Sequence, residues 1–282
     1  MNLCLLYTLL IAGAAAVLAF LYRENNCIAV SRHTVRSEKI DKPVRIVHLS
    51  DLHNKQFGKN NDVLRRIILK QRPDMIVFTG DLEDRRQRYN RATADFLAEL
   101  GKELPVFFVY GNQEIRGGFA KKLKADLKKG CVRVLDNECD KITLNGNHIA
   151  ILGLNDYKLE YKEQFAVRRG KALLRQFEGT GQFKLLLTHY PHYFDRYQRN
   201  YHYCDFGLDL VLSGHAHGGL IRTPFIKGII APGQGLFPRF TAGLYQKNGV
   251  RMIVSRGLGN SGWPRRIFNR PEVVVIDLTG EK

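Results

Sequence analysis

From Leu3 to Tyr22 the chain reads LCLLYTLLIAGAAAVLAFLY, without a single charge, and beyond Pro43 short apolar runs alternate with amphipathic stretches. An uncharged run over 3–22 at a helical rise of about 1.5 Å per residue spans a hydrocarbon core of about 30 Å. No basic segment precedes it, it is long for a signal-peptide core, and it lacks the polar face a buried helix shows. It therefore predicts a transmembrane anchor over 3–22 and a linker over 23–42, with a cleaved signal peptide as the rival reading. Arg23, Arg32, Arg36, Lys39 and Lys42 follow the run. By the positive-inside rule they favour a cytoplasmic catalytic domain.

VRIVHLS (44–50), DMIVFTG (74–80) and PVFFVYG (105–111) are short, rich in β-branched and aromatic residues, and end at turn residues. Such runs suit strands covered on both faces. Between them, NNDVLRRIILKQ and RATADFLAELGK space their apolar residues at three and four, as amphipathic helices do. Downstream, KITLNGNHIAILG predicts a hairpin about Asn145-Gly146. A helical stretch follows at about 161–178, then the strands FKLLLTH (183–189) and LDLVLSGH (208–215). GLIRT, RMIVSRG and EVVVIDL are further strand candidates, and the basic stretch FAKKLKADLKKG predicts a covering helix. The expectation is an α/β fold, a two-sheet β-sandwich flanked by helices, in one catalytic domain over 43–280.

Composition changes this picture little. At 44% hydrophobic and 25% charged the chain can bury a sizeable core. Lys and Arg outnumber Asp and Glu 44 to 27, a formal net charge of +17 that favours anionic surroundings such as phosphorylated substrates or acidic lipid. The basic clusters are short and scattered, and no zinc-finger spacing or RNA-binding aromatic signature occurs, so nucleic acid is not the expected partner. Five cysteines without a C-x-x-C pair do not make a disulfide framework.

Polar residues fall at one recurring place. Asp51 and His53 follow the first strand, Asp81 the second, and Asn112 and Glu114 the third; His189 follows a fourth, His215 and His217 a fifth. Open α/β sheets bind ligands beyond the carboxyl ends of their strands, so these side chains converge on one edge. Imidazoles and carboxylates without thiolate suit Mn, Fe or Zn, and the number of donors calls for two divalent ions. Such a pair activates water and clamps the oxygens of a phosphoryl group.

In order, D-L-H (51–53), G-D (80–81), G-N-x-E (111–114), H (189) and G-H-A-H (214–217) resemble the calcineurin-like metallophosphoesterases over about 44–280. The anchor and the ending GLGNSGWPRRIFNRPEVVVIDL are similar to the membrane-anchored bacterial YkuE/YaeI branch. The resemblance implies a four-layer αββα fold and hydrolysis of a phosphoester or pyrophosphate bond by a metal-bridged hydroxide. For the branch it implies a phosphorylated small-molecule or lipid substrate of the UDP-2,3-diacylglucosamine kind. It places Asp51, His53 and His217 on one metal, Asn112, His189 and His215 on the other, and Asp81 between them. Gly80, Gly111, Gly214 and Gly218 would allow tight turns or close approach there. The family carries His where this chain has Gln113, a residue able to donate a hydrogen bond to phosphate but not to transfer a proton. That leaves His192 as a substitute acid, or a substrate whose leaving group needs no proton, and gives Glu114 either a ligand histidine to orient or a helix to cap. A nuclease and a non-catalytic phosphate-binding module are the alternatives.

Overall fold

The computed structural model describes residues 3–155, 164–195, 202–223, 225–260, 262 and 265–281. The uncharged run forms helix α1, Leu3–Asn26, long and apolar enough to cross a membrane. Its apolar side chains stand exposed, and only the polar end, Glu24 and Asn25, is buried.

The expected linker is not one. Residues Ala29–Arg36 form strand β1, paired in parallel with Glu272–Thr279 at the other end of the chain. The segment AVSRHTVR alternates more and less exposed positions, lies on a sheet edge, and buries only Val35 fully. With no apolar run and a partner more than two hundred residues away, nothing local marks it as a strand.

The first sheet continues with β2 (Val44–Leu49), β3 (Met75–Phe78), β4 (Val106–Val109) and β5 (Arg133–Leu135), which run parallel to one another. Helices α2 (Asp62–Lys70), α3 (Arg91–Glu103), α4 (Asn112–Arg116) and α5 (Ala120–Lys128) lie within the crossovers. Asn90 caps α3 by accepting from the Ala92 amide. Leu64, Ile68, Leu97, Leu100, Leu123 and Leu127 of these helices bury their apolar faces against the outer side of the sheet.

The second sheet begins with the hairpin β6 (Glu138–Leu144) and β7 (Asn147–Gly153), turning at Asn145-Gly146 as expected. Helix α6 (Gln164–Glu178) follows; the rest of the expected helical stretch, 161–163, lies outside the described residues. Then come β8 (Phe183–Leu187), β9 (Leu210–Ser213), the two-residue strands β10 (Ile230–Ala231) and β11 (Gly235–Leu236), β12 (Gly243–Lys247) and β13 (Val250–Val254). The last strand, β14 (Glu272–Thr279), returns to the first sheet between β1 and β2. GLIRT is a correction: Gly218, Gly219 and Leu220 all take positive φ, and only Ile221 makes an isolated bridge, to Ile267.

The sheets run β1-β14-β2-β3-β4-β5 and β12-β13-β9-β8-β7-β6. Between them Ile46, Val77, Phe107, Leu185, Leu212 and Ile276 are fully buried in one apolar layer. Helices cover the outer faces, so the expected four layers are present. Because β2, β3, β4, β8 and β9 end at one edge, the loops behind 49, 78, 109, 187 and 213 meet there.

Candidate metal centre

The loops at this edge are bonded to one another before any ligand is considered. The Asp51 amide donates to the Gly80 carbonyl, His53 to Asp81 and Gly214 to His189. Asp51, His53, Asp81, His215 and His217 all have φ between 47° and 64°. Non-glycine residues avoid that region at a cost of about 1–3 kcal/mol each, and such strain concentrates at functional sites. Two glycines give the room. A Cβ on Gly111 would meet Asp81 Oδ1 at 2.2 Å, and one on Gly214 would meet Asp51 Oδ2 at 2.4 Å.

Two groups of donors result: Asp51, His53 and His217, and Asp81, His189 and His215, all buried. In the first, His53 Nε2 and His217 Nε2 are 3.2 Å apart, and His217 Nε2 is 3.5 Å from Asp51 Oδ1. In the second, His215 Nδ1 lies 3.1 Å and Asn112 Oδ1 3.2 Å from His189 Nε2, which is 3.4 Å from Asp81 Oδ2. The same Asp81 oxygen is 3.6 Å from His53 Nε2. Atoms bound at about 2.0–2.2 Å around one cation lie roughly 3 Å apart, so the donor set fits a divalent ion in each group. Asp81 Oδ1 is occupied by the Gln113 amide at 2.8 Å, which leaves Oδ2 to face both groups.

The electrostatics favour a cation. His189 Nδ1 donates to the Thr79 carbonyl at 2.7 Å, which fixes the tautomer and turns the Nε2 lone pair toward the donors. Burial works against a charge on His189, but Asp81 and Asp51 outweigh it and raise its pKa to about 10. The field that draws a proton onto this ring is one a divalent cation would satisfy. Burial lowers His215 and His217 well below the usual range and keeps them neutral, the form that coordinates. Burial, with the Asp81 charge, raises Asp51, while His189 and His53 oppose it. Burial would also raise Asp81, but His189, His53 and the Gln113 amide hold it low.

All seven expected donors thus meet at one place. Glu114 reaches no imidazole: its Oε2 accepts from the Asp81 and Gly111 amides and its Oε1 from Glu83. It caps α4 and fixes the Asp81 backbone, and burial together with Asp81 pushes its pKa up to about 7. Gln113 lines the cleft above the donors, and its Oε1 accepts from the Arg85 amide.

His192 is buried in a turn at 191–194, its ring stacked on Tyr190 and close to Gly233 of the cleft wall. Burial lowers its pKa to about 4, with the His189 charge adding to the effect.

Several contributors escaped the sequence reading. Arg116, Tyr190, Pro232 and Gly233 complete the wall of the cleft, whose volume is about 230 Å³. Arg116 stands one helical turn beyond Asn112, a spacing that could have revealed it. Behind the first group, fully buried Arg266 donates to the carbonyls of Arg256, Gly257, Gly259 and Asn269. That clamps the loop whose Leu258 and Gly259 amides bind Ser50 and Asp51. Asn269 holds the His217 and Leu220 carbonyls through Nδ2. The end of α1 joins this clamp: Glu24 accepts from the Asn269 amide, and Asn25 exchanges bonds with the Arg266 backbone in both directions.

Two donor groups sharing a carboxylate at the carboxyl edge of an αββα sandwich define a divalent-metal hydrolase. The calcineurin-like phosphoesterase profile matches residues 44–219, more than half of the chain. The chain is 31% identical over 272 residues to the uncharacterized metallophosphoesterase YkuE of Bacillus subtilis (strain 168), covering 91% of this chain and 87% of that one. It is 29% identical over 273 residues to an uncharacterized metallophosphoesterase of Aquifex aeolicus (strain VF5), covering 93% and 96%. To the phosphodiesterase YaeI of Escherichia coli (strain K12) it is 28% identical over 242 residues, covering 84% and 82%. This chain belongs to the calcineurin-like phosphoesterase family and is a metal-dependent phosphoesterase.

Proposed function

We propose that the protein is a membrane-anchored hydrolase with two divalent ions, Mn, Fe or Zn, acting on a phosphodiester or pyrophosphate bond in a lipid-linked or nucleotide-linked substrate. The observation that carries this reading is Asp81 Oδ2, placed within 3.6 Å of His53 and 3.4 Å of His189, one donor from each group. Asp51, His53 and His217 would hold the first ion, Asn112, His189 and His215 the second, with Asp81 shared. When bound, such a pair of ions supplies an activated water and a clamp for phosphoryl oxygens.

The side chains divide the remaining work. Asn112 is a neutral donor and limits the negative charge facing an incoming phosphate. Arg116 places a cation in the cleft wall, and the Gln113 amide can donate to a phosphoryl oxygen. Among the described residues that line the cleft, no side chain apart from the donor histidines has an ordinary pKa near neutrality. Proton delivery to the leaving group is therefore weak, which favours substrates whose leaving group departs unaided, such as a nucleoside monophosphate released from a pyrophosphate bond. The exposed apolar helix α1 supports membrane anchoring, and the basic residues after its apolar run support a cytoplasmic domain.

The test is a screen of the metal-loaded full chain against aryl phosphomonoesters, aryl phosphodiesters and pyrophosphate-linked lipids. Rates should fall steeply as the leaving group's pKa rises. A flat dependence would refute unaided departure. No turnover of any of these substrates, with metal content unaltered in Asp81→Ala, would sink the two-ion enzyme.

A further inference from the structure

We propose that the exposed loop face formed by Phe225, Ile226, Leu236, Phe237 and Phe268 lies in the interfacial layer of the membrane that holds α1, so that the cleft opens toward lipid headgroups. This rests on the membrane-anchored reading above.

These side chains are far apart in sequence, but the segments that carry them are bonded to one another. Phe225 is 96% and Phe237 69% exposed. Ile221 bridges Ile267 beside Phe268, and the Ile229 amide donates to Ile221. The Phe237 amide donates to Ile229, and Thr223 to Ile226, which closes the turn that carries Phe225. Phe237 and Phe268 hold φ of 50° and 49° while remaining solvent-exposed. Bulky residues are genuine outliers there.

The helix sets the level of the face. The Phe268 ring packs on Phe20 of α1 with centroids 5.0 Å apart. Phe20 is two residues short of the end of the uncharged run, about 3 Å at the helical rise. Phe268 therefore stands at the boundary of the hydrocarbon, where aromatic side chains are favoured. The helix end does not swivel freely. Besides the Glu24 and Asn25 bonds, the Lys55 ammonium donates to the Asn25 carbonyl, and Arg270 donates to the carbonyls of Cys27 and Ile28. Exposed Lys227 and Arg265 flank the apolar face, as basic side chains do at anionic headgroups. One hairpin then links membrane and site: Pro232 and Gly233, between β10 and β11, line the cleft, whereas Leu236 and Phe237 belong to the exposed face.

The experiment uses the full chain with its exposed cysteines, Cys4, Cys27, Cys131 and Cys139, replaced by serine. Phe225→Cys and Phe237→Cys carry an environment-sensitive fluorophore. Lys70→Cys, exposed at the end of α2 on the opposite edge of the sheet, is the control. The proteins are reconstituted into vesicles of phosphatidylcholine and phosphatidylglycerol and floated. Emission at positions 225 and 237 should shift to shorter wavelength and be quenched by lipids labelled near the carbonyl, while position 70 reads as water. A protein that does not float overturns both the anchor and this inference. One that floats with water-like emission at 225 and 237 overturns this inference alone. Apolar emission that lipid quenchers cannot reach would mean a protein partner, such as a second copy of the chain, and would also overturn it.

Discussion

The two sheets contribute unlike chemistry to one site. The loops of the first sheet deliver Asp51, His53, Asp81 and Asn112, which include every oxygen donor; those of the second deliver only the imidazoles of His189, His215 and His217. The carboxylates are held by amides from other loops, Asp51 by His215 and Asp81 by Gln113. Neither sheet owns a complete donor group: Asp51 and His53 need His217, and Asp81 needs His189 and His215. Metal binding and the docking of the two sheets are thus one linked equilibrium, in which bound ions stabilise the sandwich and a loosened sandwich binds ions weakly.

The sharpest way to break this picture is Asp81→Ala, because Asp81 alone faces both groups. Turnover should fall on the order of 10³-fold, equivalent to several kcal/mol of lost transition-state stabilisation, and elemental analysis should show loss from both sites. Asp51→Ala should empty mainly the first. A pair of core variants then separates docking from general stability. Leu185→Ala in the layer between the sheets and Leu64→Ala in the outer layer beneath α2 should each cost about 2–5 kcal/mol. Only Leu185→Ala should also weaken metal affinity, as measured by chelator competition. Equal affinities in the two variants would uncouple the sheets from the ions.

A third prediction tests the same layer through pH. His48 is fully buried, bonded to the Thr79 hydroxyl, and held near a pKa of about 3 by burial, with the His33 charge adding to the effect. Unfolded, it takes up a proton near pH 6.5; folded, it does so only near pH 3. Between these values the unfolded state binds more protons, so stability falls as pH falls and is unaffected above the upper limit. The loss at pH 5 is about 2 kcal/mol. His48→Gln keeps a hydrogen-bonding side chain without a titrating one, and should flatten urea midpoints across that window. A variant that tracked the wild type would remove His48 from the account.

What the sequence disclosed and what it hid have physical causes. The buried strands and the donors were legible because an apolar run followed at once by Asp, Asn or His carries both signals within ten residues, as in VFFVYGN. Strand β1 was hidden because half its positions face water and its partner lies at the far end of the chain. The burial of His192 was hidden too, because its distance to His189 in sequence says nothing of the stacking on Tyr190. Arg266 read as one more basic residue, since nothing in WPRRIFN says which arginine turns inward to meet four carbonyls.

The smallest expected effect concerns the end of α1. Asn25 accepts from the Arg266 amide and donates to its carbonyl, and Arg266 clamps the Gly257–Gly259 loop against Asp51. Glu24 holds Asn269, which holds the His217 carbonyl. Both paths end on donors of the first group and neither reaches His189 or Asn112. Residues that orient ligands without touching the ion commonly affect affinity by about 10–100-fold, and at two steps' remove the lower figure is the reasonable one. Asn25→Ala should therefore weaken binding of the first ion about tenfold, leave the second unchanged, and cost little in thermal stability. Chelator competition in Asp51→Ala and His189→Ala backgrounds resolves the two ions. An equal loss at both, or a loss only of stability, would reduce the helix end to a packing element; a selective loss would make the end of α1 part of the metal site.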